Sequence, residues 1–176
     1  MVNDRRIPAE SGGIEALPAS FAIRFSPSSH LISIVRRFVH SFYGKVLDDA
    51  ELASQLALAT HELLENAVKY GTTNEAGLAV TVAELDDGFS ITVAIRNRAE
   101  EEDIAEARRL IDALAGAADP FAYYQELMHE AAERVDGSGL GIARIAAETG
   151  MTLEAALVDD ELEIRARTTF KPRRST

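Results

Sequence analysis

The sequence predicts an α+β fold: a two-layer α/β sandwich in which a mostly antiparallel mixed sheet carries its helices on one face. Three observations lead there. Two pairs of apolar segments flank the short turns Asp86-Asp87-Gly88 and Asp159-Asp160-Glu161, as the arms of β-hairpins do. Long stretches with apolar residues at helical spacing stand before the first of these hairpins and between the two. Strands and helices therefore come in blocks, which segregates the helices to one side of the sheet.

The elements follow in order. Phe21, Ile23 and Phe25 alternate with small or polar neighbours, as in a half-buried strand, and Ser26-Pro27-Ser28-Ser29 ends it and offers an N-cap. From His30 to Lys45 the residues Leu31, Ile34, Val35, Phe38, Val39 and Phe42 recur at helical spacing, and Gly44 lies near the stop. A second helix, capped by Asp48 or Asp49, runs to Tyr70 before Gly71 and aligns Leu52, Leu56, Ala59, Leu63, Ala67 and Tyr70 on one face. Residues 78–85 and 89–97 form the first hairpin. Helices are expected from about Ile104 to Ala115, from Phe121 to Arg134, and from the glycine loop at 137–141 to Gly150. Residues 152–158 and 162–170 make the last hairpin.

A chain of 176 residues with 47% hydrophobic content can bury a core as a single domain. The expected division is a loose leader over 1–18, a domain over 19–170 containing a helical insert at 99–136, and a basic tail over 171–176. Cysteine is absent, which excludes disulfides and thiol chemistry and suits a reducing cytoplasm, the expected location. No apolar run reaches the length of a membrane span or has the form of a signal peptide. A formal charge of −11 disfavours nucleic acid and anionic lipid as partners. Lys171, Arg173 and Arg174 are read as a solvated terminus.

Chemistry is concentrated at two places. On the second helix Asn66 lies at the edge of the apolar stripe, with Glu62 four residues before it and Lys69 three after it, so a carboxylate, a carboxamide and an ammonium line one flank. A partly buried Asn needs hydrogen-bond partners or a ligand. An amphipathic helix with Glu62 and Lys69 in surface pairs is the plainer alternative. His61-Glu62-Leu63-Leu64-Glu65 fails as a zinc-protease motif, because Glu65 stands where a second His is required. The second place is Gly137-Ser138-Gly139-Leu140-Gly141, where alternating glycines ahead of a helix let backbone N–H groups approach a phosphate. It lacks the Lys-Ser/Thr ending of a Walker loop.

Together, Glu62-Leu63-Leu64-Glu65-Asn66-Ala67-Val68-Lys69-Tyr70 and Gly137-Ser138-Gly139-Leu140-Gly141 resemble the N box and second glycine box of the GHKL, or Bergerat-fold, ATPases. The short form resembles the anti-sigma-factor serine kinases of partner-switching systems. A sensor histidine kinase is not expected, since residues 1–18 offer no helical hairpin with a phosphoacceptor His. The resemblance implies ATP and Mg²⁺ as cofactors, Asn66 as metal holder, Glu62 as general base and Lys69 on phosphate. The glycine loop would take the phosphate tail and 99–136 would form a mobile lid. It also implies a STAS-domain antagonist as substrate and a sigma factor as a further partner. The first glycine box departs from the family's pattern: Asn97 stands in place of the adenine-binding Asp, and Arg98 and Ala99 follow in place of Gly-x-Gly. Two functions stay open, a protein kinase and a binding module without turnover that sequesters a sigma factor or antagonist. A homodimer can be built either on the helix from His30 to Lys45 or on the outer sheet edge.

Overall fold

The computed structural model describes residues 20–133 and 139–171. The expected leader, Gly137 and Ser138 of the glycine loop, and Arg173 and Arg174 lie outside the described residues. The order is β1 (Phe21–Phe25), α1 (Ser29–Val46), α2 (Ala50–Tyr70), β2 (Ala76–Leu85), β3 (Gly88–Asn97), α3 (Glu101–Gly116), α4 (Pro120–Glu133), α5 (Leu140–Thr149), β4 (Thr152–Val158) and β5 (Glu161–Phe170).

The strands form one open sheet in the order β1-β2-β3-β5-β4, and every pairing is antiparallel. Both hairpins close where expected. Gly88 takes φ +125°, where a side chain would be strained, and Asp159 and Asp160 turn the second hairpin with φ of 53° and 62°. The sheet's inner face is set by the pleat: Ile91, Val93 and Ile95 on β3 and Leu162, Ile164 and Ala166 on β5 are buried against the helices.

Helix α2 is the central helix of the second layer. Asp49 caps it by accepting a hydrogen bond from the Leu52 amide at 2.9 Å. Leu56, Leu63 and Leu64 are fully buried, each contributing roughly 1.5–3 kcal/mol. Helix α1 packs on it through Ile32, Val35, Val39 and Tyr43. Ser28 stands at the N-cap of α1 with no side-chain cap bond. Helix α3 starts at Glu101, earlier than the apolar pattern alone places it. Glu101, Glu102 and Asp103 occupy its first turn, where the helix dipole favours negative charge. Ile111 and Leu114 anchor α3 in the core. Among the described residues no helix is long and apolar enough to cross a membrane.

Candidate functional site

Where the end of α2 meets the sheet and the start of α5, the packing leaves a recess that is partly open to solvent. Its floor is Ile95, Leu162 and Ile164 from β3 and β5, with Ile142 from α5. Asn66 and Tyr70 reach it from α2, Asn97 from the end of β3, and Gly139 from the turn before α5. The remaining wall is α3, which presents Asp103, Glu106, Ala107 and Leu110. A mostly apolar recess lined by two carboxamides and a glycine has the chemistry to meet a heterocycle that also offers hydrogen-bonding edges.

The two carboxamides are held differently. Asn97 is 5% exposed, and its Nδ2 donates to the Arg98 carbonyl at 3.0 Å. That same carbonyl accepts from the Thr72 amide at 2.9 Å, so the strand end and the α2 exit are stitched together. Committing Nδ2 in this way leaves Oδ1 as the group Asn97 can offer to the amino hydrogen of a ligand. Asn66 Nδ2, in contrast, is shut off from solvent with no hydrogen-bond partner. A buried amide left in this state costs about 1–3 kcal/mol. With Nδ2 sealed, Oδ1 is the amide atom left to meet a ligand, and a carboxamide oxygen suits Mg²⁺.

Glu62, one turn earlier on α2, is buried against α5 rather than lining the recess. Gly141 makes this possible: a methyl at that position would lie 2.7 Å from Glu62 Oε2. Arg144 donates from Nη1 to Glu62 Oε1 at 3.0 Å and from Nε to Glu148 Oε1 at 2.8 Å. Burial pushes the Glu62 carboxyl above its ordinary value, and the Arg144 guanidinium offsets this in part. Gly139 has φ +82°, and an added methyl there would meet Leu110 Cδ2 at 2.8 Å, so α3 rests directly on the glycine turn.

The structure thus gathers Asn66, Asn97 and Gly139 around one recess and sets Glu62 and Gly141 side by side next to it. Leu140 is half-buried at the start of α5. Lys69 is exposed and does not line the recess; its ammonium lies 4.9 Å from the centre of the Tyr70 ring, which does. Sequence reasoning missed Arg144 and Glu106. Arg144 left one trace, its i, i+4 spacing to Glu148. Asp103 belongs to the run Glu100-Glu101-Glu102-Asp103, which reads from sequence either as a solvated helix start or as charge that repels a triphosphate under a folded lid, and nothing in the local pattern chooses between them. Among the described residues there is no cluster of three or more His, Cys, Asp and Glu able to hold a metal.

Neither comparison with protein families nor comparison with curated proteins returns a match. Among solved structures, a chain in the crystal structure of the SiaB-SiaC complex from Pseudomonas aeruginosa is similar, with a TM-score of 0.61 and 21% sequence identity. The alignment covers 85% of this chain and 89% of that one. The likeness is one of fold.

Proposed function

We propose that the chain is an ATP-binding regulatory protein kinase of the GHKL type, which phosphorylates a serine or threonine on a small regulatory protein of the STAS-domain class. The observation that carries this reading is the unpartnered Asn66 amide, set in one recess with Asn97 and a glycine turn at a helix N-terminus. Asn97 Oδ1 would accept from the adenine amino group while the apolar floor takes the base. Asn66 would hold Mg²⁺, whose charge eases phosphoryl transfer when it is bound with the nucleotide. Glu62 would take the proton of the acceptor hydroxyl, and its raised pKa brings it nearer to working pH, where a general base is most effective. The amides at the start of α5 would take the phosphate, once Leu110 of α3 moves off Gly139. The similar structure is that of a two-protein complex, SiaB with SiaC, which supports a protein as the partner here.

A second reading is favoured by a specific observation. Asp103 and Glu106 face the recess and Leu110 sits on Gly139, so α3 as placed opposes a triphosphate. A binding module that keeps the fold and sequesters a sigma factor or antagonist without turnover would show this arrangement. Calorimetric titration of ATP with and without Mg²⁺, on the native chain and on Asn66→Ala, separates the two. Binding that depends on Mg²⁺ and falls at least tenfold with the substitution is expected for the kinase. No heat at millimolar nucleotide overturns it and leaves the binding module.

A further inference from the structure

Arg144 serves two carboxylates with one guanidinium. Its Nη1 is given to Glu62 Oε1 and its Nε to Glu148 Oε1, so different edges of the same planar group are in use. Glu148 stands one turn further along α5, and the helix itself brings the pair together. Glu62 reaches the guanidinium from α2. The three side chains are graded from core to solvent: Glu62 is 8% exposed, Arg144 40% and Glu148 37%. Of the charged neighbours of Glu62, Arg144 acts most strongly. The others are His61 and Glu65 on its own helix, which pair with each other at 3.2 Å and pull the Glu62 carboxyl in opposite directions. How much positive charge Arg144 turns toward Glu62 therefore decides how readily that carboxyl holds a proton.

We propose that Glu148 is a positioning residue of this site: by occupying the Nε edge of Arg144 it keeps the guanidinium divided between two carboxylates, so that Glu62 is held in place without being neutralised. Arg144 engages Oε1 of Glu62, and the other oxygen, Oε2, lies beside Gly141 in the first turn of α5. Oε2 is thus the atom left to take up a proton. Glu148 does not line the recess and acts only through Arg144. With Glu148 uncharged, the full charge of Arg144 would fall on the buried carboxylate, where water screens it less than it screens the exposed pair. The consequence for catalysis rests on the kinase reading of Glu62, whereas the division of Arg144 rests on these three side chains alone.

Carbon-13 NMR of the Glu62 side-chain carboxyl tests this on the full chain without nucleotide, the resonance being assigned by its loss in Glu62→Gln. Glu148→Gln is expected to lower the midpoint of the Glu62 titration by about half a pH unit. Glu148→Asp keeps the charge and should hold the midpoint near that of the native chain. Arg144→Gln should raise it by about one pH unit, with Arg144→Lys as the second variant should Arg144→Gln misfold. Glu84→Gln, at an exposed position on β2, is the control and should leave it unmoved. In an assay of phosphate transfer, the acid limb of the pH profile of Glu148→Gln should move down by the same amount, with ATP affinity held within about twofold. A midpoint that does not move in Glu148→Gln, or that moves as far in Glu148→Asp, overturns the proposal. So does a midpoint that rises in Glu148→Gln, which would make Glu148 no more than an anchor for Arg144. Failure of the native chain to bind ATP would end the kinase reading, and the carboxyl titration would still decide whether Glu148 acts on Glu62.

Discussion

Glu62 and Glu163 are the two carboxylates buried among the described residues, and their surroundings treat them in opposite ways. Glu163 lies on the outer face of the sheet, where Arg96 donates to Oε2 through Nε and Nη2 at 3.0 and 2.7 Å and Arg165 Nε donates to Oε1 at 2.6 Å. Burial alone would raise its pKa, but these arginine bonds outweigh it and hold the carboxyl below its ordinary value. Glu62 has the Arg144 bond at one oxygen and the backbone at Gly141 crowding the other, and there burial wins. The contrast separates two uses of a buried acid. Glu163 is saturated with donors and fastens β3 to β5. Glu62 is a carboxyl that burial raises despite its arginine, and groups shifted in this way are candidates for handling protons or ligands.

The largest difference should appear when each is changed to its uncharged isostere. Under the kinase reading, Glu62→Gln should reduce phosphate transfer from ATP by about 10²–10⁴-fold, with nucleotide affinity held within about threefold. Glu163→Gln should leave transfer and affinity unchanged, yet cost about 1 kcal/mol by weakening the bonds from Arg96 and Arg165, of which Arg96 keeps Asp159 as a second partner. In a thermal melt each such kcal/mol lowers the midpoint by about 2–4 °C. Equal effects of the two substitutions on nucleotide chemistry would erase the distinction.

A subtler break moves Glu62 without removing it. Gly141→Ala places a methyl 2.7 Å from Oε2, and the carboxylate, the far end of a flexible side chain, must swing away from Arg144. The helix itself gains about 0.5–1 kcal/mol from replacing glycine. Stability should therefore change little while transfer falls about tenfold. Gly116→Ala, whose added methyl meets nothing within 4 Å, is the matched control and should leave transfer untouched.

The same contrast marks what the sequence could disclose. Period and turn chemistry are local, so α2 with its Asp49 cap and both hairpins were legible, down to the strand ending at Asn97. Asn66, Asn97 and Gly139 were legible as a set because the order of two motifs and a strand end carries them. The partner of Glu62 was not: Arg144 lies 82 positions away, and no periodic pattern announces a bond of that separation. Helix α3 shows the same limit. Its existence follows from apolar spacing, but which charged residues turn toward the recess is decided by how Ile111 and Leu114 seat it in the core.

The smallest effect is in stability against pH, and the two glutamates should give it opposite signs. Glu163 has a folded pKa below the ordinary 4.5, so its stabilisation is present above that value and is lost as pH falls through the folded pKa. Glu62 has a folded pKa above 4.5; between the two values the native chain holds the proton that the unfolded chain has released, so stability declines as pH rises through that window. Subtracting the wild-type melting temperature from that of Glu62→Gln should give a difference that shifts in the variant's favour as pH rises from 4.5 toward 7. The same subtraction for Glu163→Gln should be negative near neutrality and shrink toward zero as pH falls below 4.5. A Glu62→Gln difference that does not change with pH would mean that Arg144 compensates the carboxylate as completely as Arg96 and Arg165 compensate Glu163, and Glu62 would then be a structural anchor of α5 rather than a base.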